Sequence, residues 1–178
     1  MVAVARRLLG LDVCGGGTTI ALVLEVKTAA TTSLTPDQVI AAAADFSDAR
    51  EKLWSNCKNR YLQVHDSGAD FAEVTEGFRL VTVFWERSRY DWSQPGTIRQ
   101  TVIDSNVVGP RCTWELTATP NAEGCEVVMR HSREFQPSLK GKVGWALNRL
   151  AGTWMWRSYL RHVLAEAEKR GIREEPGT

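Results

Sequence analysis

The sequence has little of what marks a metal, redox or membrane protein. Its four cysteines, Cys14, Cys57, Cys112 and Cys125, fall in no CxxC or Cys/His spacing that closes a tetrahedral zinc site. No metal and no cofactor is therefore expected. Cys112 and Cys125 fit neighbouring strands, but a chain of 178 residues builds a core without staples, and buried thiols are expected. Excess charge is also missing. With 22 basic against 21 acidic residues the net charge is +1, which offers no overall pull toward nucleic acid or an anionic membrane. No nucleic-acid partner is expected, and no apolar run approaches spanning length, so no integral membrane association is expected either. Arg6 and Arg7 before Leu8 and Leu9 echo an export signal, but Asp12 and Gly15 to Gly17 interrupt the apolar stretch. That glycine run lacks both the preceding strand and the following lysine of a phosphate loop. The expectation is a cytoplasmic protein with a flexible lead-in over 1–18, one domain over 19–170 and a tail over 171–178. Oligomeric state is not legible.

What is present is a mixture of strand and helix signals around many indoles. Hydrophobic residues make up 43% of the chain, and seven are tryptophan, each needing a place for a large flat ring and its N–H. The Val- and Thr-rich stretch from Ile20 to Leu34 predicts a strand. Thr35, Pro36, Asp37 and Gln38 then form a capping box with proline at the first helical position. A second short helix is expected to end near Asn56. From Arg60 to Phe135, short β-type runs alternate with turn signals at Ser67 to Asp70, Glu76 and Gly77, Ser93 to Gly96, Gly109 and Pro110, and Pro120 to Gly124. About six strands follow in series, too closely spaced for crossover helices, so an antiparallel meander is expected.

Alternation points Cys125, Val127, Met129, His131, Arg133 and Phe135 inward, and likewise Cys112, Trp114 and Leu116. Between Leu80 and Trp92 both faces are bulky and neither is marked as inner. From Leu139 to about Arg170 the chain reads as helix, but its apolar stripe rotates. Leu139, Val143, Ala146, Leu147, Leu150 and Trp154 share one face, whereas Trp156, Leu160, Val163, Leu164 and Ala167 share another. Gly152 lies near the crossover, so either the helix kinks there or its halves face different surroundings.

This order of elements resembles the START-like or SRPBCC superfamily, which includes polyketide cyclases and lipid-transfer proteins. The likeness spans residues 22–170 and rests on the Thr35, Pro36, Asp37 helix entry, the Trp114 strand, the Gly124 hairpin leading to Val127, and the Leu147 to Leu164 helix. It implies an α+β helix-grip fold, about seven antiparallel strands curved around a long C-terminal helix, with two short helices after the first strand. It also implies a cavity between sheet and helix, with Leu139 to Trp154 as a lid and Trp156 to Ala167 closing the core.

Candidate ligand contacts are Trp85, Arg99, Trp114, Met129, Val143, Leu147, Leu150 and Trp154. Trp114, Trp145 and Trp154 offer flat apolar walls with one donor each, although they serve equally as plain core. His131 and Arg133 are the candidate catalytic pair. An imidazole near its ordinary pKa serves as a general acid or base, and a guanidinium two residues on can hold an enolate oxygen. A buried histidine bonded to a neighbouring strand, and an arginine paired with an acid, are the plainer alternatives. Arg99, Glu73 and Glu115 are expected to tie strands together as well. The expected function is binding of a small hydrophobic molecule, lipid or polyketide-like, without catalysis. The alternatives are a polyketide aromatase/cyclase acting by enolisation and water loss, and a protein-interaction module that uses exposed tryptophans.

Overall fold

The computed structural model describes residues 22–80 and 82–174. The expected lead-in, the glycine run, Cys14 and the last residues of the expected tail lie outside the described residues. β1 (Leu22–Thr32) leads through α1 (Pro36–Ala43), α2 (Arg50–Leu53) and a single 3₁₀ turn (Asn59–Tyr61) into β2 (Gln63–Ser67). Then come β3 (Phe71–Arg79), β4 (Val83–Asp91), β5 (Thr97–Ser105), β6 (Thr113–Asn121), β7 (Gly124–Phe135) and α3 (Leu139–Glu174). The seven strands form one sheet in the order β1-β7-β6-β5-β4-β3-β2, antiparallel at every pairing. This is the expected meander, closed on one side by the return of β7 to β1.

Local chemistry explains the element boundaries. The Thr35 hydroxyl accepts from the Gln38 amide at 3.3 Å while the Gln38 side chain accepts from the Thr35 amide at 2.9 Å, the reciprocal pair that starts α1. One expected turn is wrong. Glu76 and Gly77 lie inside β3, and the chain reverses instead after Arg79. Gly77 is needed there for close approach rather than for turning, because a Cβ would stand 2.5 Å from the Phe84 carbonyl oxygen of β4.

α3 extends to Glu174, beyond the expected end near Arg170, and it is two helices joined at Gly152. That residue has φ 55° and ψ −158°, close to the backbone region that essentially only glycine occupies. The break follows from what each segment packs against. Beyond Gly152, Leu160, Val163, Leu164 and Ala167 are buried in a core with α1, α2 and the ends of β5 to β7. Before it, Trp145 packs on a second cluster formed by Phe84, Val102, Val107, Val108, Cys112 and Phe135.

The segment of α3 before Gly152, expected as a lid, does not present its apolar stripe inward. Leu139, Val143 and Leu150 face outward, Leu147 is half exposed while also lining the cavity, Gly141 is buried against the Gln136 backbone, and Gly144 is buried against the sheet side. A Cβ on Gly144 would meet Val107 at 3.0 Å and Phe135 at 3.1 Å. Gly144 lets the helix backbone settle on Val107 and Phe135, and Leu139, Val143 and Leu150 are left outside.

Candidate functional site

Two core clusters leave a gap between them, and the gap is the candidate site. A cavity of about 500 Å³ is bounded by Trp54, Tyr90 and Trp114 from one cluster and by Phe84, Val107 and Phe135 from the other. That volume lies in the range of pockets that enclose drug-sized ligands. Its solvent-exposed lining residues are Ser55 and Asn56 in the loop after α2, Leu80 at the β3–β4 turn and Leu147 on α3, with the half-buried Met155 beside them.

The sheet side of the cavity is polar. Arg50, from α2, donates from Nε to Glu76 Oε1 at 2.6 Å, from Nη1 to the Ala43 carbonyl at 2.7 Å, and from Nη2 to the Tyr90 hydroxyl at 3.4 Å. Tyr90 in turn donates to Glu76 Oε2 at 2.5 Å. Burial opposes charge on both partners, but the pair overcomes it. The guanidinium holds the Glu76 carboxyl below its ordinary value, and Glu76 raises Arg50. Burial, then the Glu76 charge, pushes the Tyr90 phenol well up, so it remains a donor. The Arg50 guanidinium also lies 4.5 Å from the Phe46 ring centre and 5.1 Å from that of Trp54.

A second charged pair stands across the sheet. Arg133 of β7 donates from Nη1 to both carboxylate oxygens of Glu86, at 2.8 and 2.7 Å. Burial would lower Arg133, yet the carboxylate holds it above its ordinary value. Among the described residues its Nε and Nη2 have no hydrogen-bond partner, and Arg133 lines the cavity. Gln100 Nε2 donates to Ser88 Oγ at 2.9 Å beside them. The cavity therefore has aromatic walls and a row of fixed polar groups on one side.

His131 is the unusual member. Its side chain is buried, and among the described residues neither ring nitrogen has a hydrogen-bond partner. Trp156 covers it with ring centres 4.0 Å apart, and the indole is held by its Nε1 donating to Asn148 Oδ1 at 3.1 Å. That bond spans the Gly152 break and ties the two segments of α3 together. Burial, reinforced by the Arg133 charge, holds the imidazole well below its ordinary value of 6.5. In the native state it is neutral at neutral pH. The unfolded chain gains a proton below about pH 6.5 that the folded chain refuses, so this group costs stability as pH falls from there toward the lowered folded value. Wild type is expected to lose up to about 1.4 kcal/mol per pH unit relative to His131→Leu over that window, read from urea unfolding at a series of pH values. Parallel pH profiles for the two proteins would rule the effect out.

The structure brings Trp85, Trp114, Leu147, His131 and Arg133 to the cavity wall. The other expected contacts lie elsewhere. Arg99 is on the outer face of the sheet, paired with Glu115, and Arg87–Glu73 ties β3 to β4 in the same way. Met129 is fully buried in the core, where β7 packs beneath α3. Val143 and Leu150 point away from the sheet because the glycines take the inner face. Trp154 is 77% exposed and borders only a shallow surface groove with Ser158 and His162.

Sequence reasoning passed over Arg50, Glu76, Glu86, Tyr90 and Gln100. A polar residue on an inner strand face carries the pattern of a solvent-facing one, so Glu86 and Ser88 between bulky neighbours gave no usable alternation. Cys57, Cys112 and Cys125 are free and buried. Among the described residues no group of three or more His, Cys, Asp or Glu side chains is gathered to hold a metal, and no helix is long and apolar enough to cross a membrane.

Sequence comparison identifies no relative: no family model matches the chain, and no curated protein matches it significantly. Solved structures do match. The Zhui aromatase/cyclase from a Streptomyces species superposes with a TM-score of 0.69 at 19% identity, over 88% of this chain and 99% of that one. The chain has the START-like fold. Within that fold, norcoclaurine synthase from Thalictrum flavum, solved with dopamine and hydroxybenzaldehyde, matches at TM-score 0.60 and 9% identity over 94% of this chain and 100% of that one. A START superfamily protein from Mycobacterium smegmatis matches at 0.55 and 9% over 82% and 97%. At these identities the likeness is one of START-like architecture.

Proposed function

We propose that the chain binds a small, ring-containing hydrophobic molecule that carries oxygen, of polyketide-like character, inside the cavity. The observation that supports this most is the free edge of Arg133. Among the described residues its Nε and Nη2 have no partner at the wall of a chamber lined by aromatic rings and a few fixed polar groups, with Glu86 fixing the guanidinium. A carbonyl or phenolic oxygen satisfies that edge, while the indoles and phenyl rings take the apolar face of the ligand. Two of the similar structures are named for aromatic chemistry, an aromatase/cyclase and a synthase solved with two aromatic compounds. Emodin, a hydroxylated anthraquinone, and anthracene, its oxygen-free ring system, separate the two contributions. Tryptophan quenching is expected to show saturable binding of one emodin per chain, at least about tenfold tighter than anthracene. Absence of saturable binding, or equal affinity for the two, would refute the reading.

His131 favours a second reading, an aromatase/cyclase-type reaction in the same cavity. A neutral, unpartnered imidazole two residues from Arg133 on one strand face, uncovered when Trp156 swings aside, would accept a proton from an activated methylene. Arg133 would hold the resulting enolate oxygen, and return of the proton to a β-hydroxyl would release water. The protein is then expected to speed deuterium exchange at the methylene of β-tetralone at least about tenfold, and His131→Leu to abolish the gain. No acceleration by the wild type leaves binding alone.

A further inference from the structure

The lid segment exposes what a helix normally hides. Leu139, Leu150 and Trp154 are 80%, 86% and 77% exposed, and Val143 and Leu147 are nearly half exposed. Along the chain the charge beside them is of one sign. Between Glu134 and Glu166 the chain has no acid, but it carries Lys140, Lys142, Arg149, Arg157 and Arg161. Lys142, Arg149, Arg157 and Arg161 are exposed, and none of the five is in a salt bridge among the described residues. An overall charge of +1 thus conceals a local concentration of positive charge along this segment.

The apolar stripe also runs into the cavity. Leu80 and Leu147 are both exposed outside and part of the cavity lining, and the groove beside Trp154 shares Met155 and Tyr159 with the cavity wall.

We propose that the outer face of the segment from Leu139 to Arg161 docks on an anionic phospholipid surface, from which the cavity is loaded or emptied. An amphipathic helix with leucine and tryptophan on one face and lysine and arginine at its flanks lies in the interface between headgroups and acyl chains. Indoles favour that depth, and each basic side chain near an anionic leaflet strengthens binding severalfold. A second copy of the chain is a poorer occupant, because a two-fold interface on this helix sets lysine and arginine against lysine and arginine. The proposal goes beyond the ligand assignment and does not need it.

The test is flotation of the full chain with phosphatidylcholine vesicles, alone or with about 30% phosphatidylserine. Binding is expected to the anionic vesicles, and at least about tenfold weaker binding to the neutral ones. Leu150→Ser with Trp154→Ser, and separately Arg149→Ser with Arg157→Ser, are each expected to weaken anionic binding about tenfold or more. Emodin binding stays at the wild-type level in both, since these side chains are exposed and outside the cavity. Equal binding to both vesicles, indifference to both pairs of changes, or a dimer that the leucine–tryptophan pair dissolves overturns the proposal. Retention of polyglutamate but not of anionic vesicles assigns the face to an acidic protein and overturns it too. Vesicle binding that survives while emodin binding fails leaves this proposal standing and removes the ligand assignment.

Discussion

Arg50→Met is expected to destabilise the protein by about 3–5 kcal/mol, the largest effect of any single change considered. The guanidinium bridges three elements, donating to Glu76 on β3, Tyr90 on β4 and the last turn of α1. Removing it leaves the Glu76 carboxylate buried, with the Tyr90 hydroxyl and the Cys57 thiol as its remaining side-chain partners among the described residues. Desolvation of that uncompensated charge dominates, as it does whenever one half of a buried pair is deleted. Arg50→Met combined with Glu76→Leu is expected to recover most of the loss, because the charge that had no partner is gone. Urea unfolding of the two single variants, the double variant and wild type measures the coupling directly. A loss below about 1 kcal/mol for Arg50→Met, or a double variant no better than the single, would show that the pair does not organise this end of the cavity. The pH dependence has a fixed sign. Glu76 titrates below its ordinary 4.5 in the folded state, so the pair's contribution is complete above that value and is lost as pH falls through the lowered one.

The second large effect concerns the ligand. Arg133→Leu is expected to weaken emodin binding about 100-fold, since hydrogen bonds to a charged donor are worth about 1.5–3 kcal/mol. The variant also strands Glu86 in the cavity wall, which alone would repel an oxygen-bearing ligand. Arg133→Leu with Glu86→Leu removes that complication. The double variant is expected to bind anthracene within about threefold of wild type while remaining about 100-fold weaker for emodin. Calorimetric titration of both compounds gives the four affinities. Emodin binding that returns to the wild-type level in the double variant would mean that the carboxylate, not the guanidinium, governs the site.

Much of the fold was legible in the sequence for reasons that are local. The capping box at Thr35 and Gln38, the Pro120 to Gly124 hairpin and the alternation along Cys125 to Phe135 each depend on a few neighbouring residues. The rotation of the apolar stripe near Gly152 was legible too, and it became a broken helix. Which way the lid stripe points was not legible, because it depends on how closely Gly144 must approach Val107 and Phe135 across the fold. The site was legible only where apolar neighbours frame it. His131, Arg133 and Trp114 stand on strands with clean alternation, but Arg50 comes from a four-residue helix with no pattern of its own. Glu76 sits beside a glycine that signals a turn. Polar residues gathered in a cavity look, one strand at a time, like residues facing water.

The cavity and its donors are the centre of this account, and a crystal structure of the protein grown with emodin tests them most directly. The account predicts one emodin between the aromatic walls, with an oxygen within hydrogen-bond distance of Nε or Nη2 of Arg133 and the Glu86 pair intact. Emodin confined to the outer surface, with the Arg133 edge still unoccupied and the chamber empty, would contradict it.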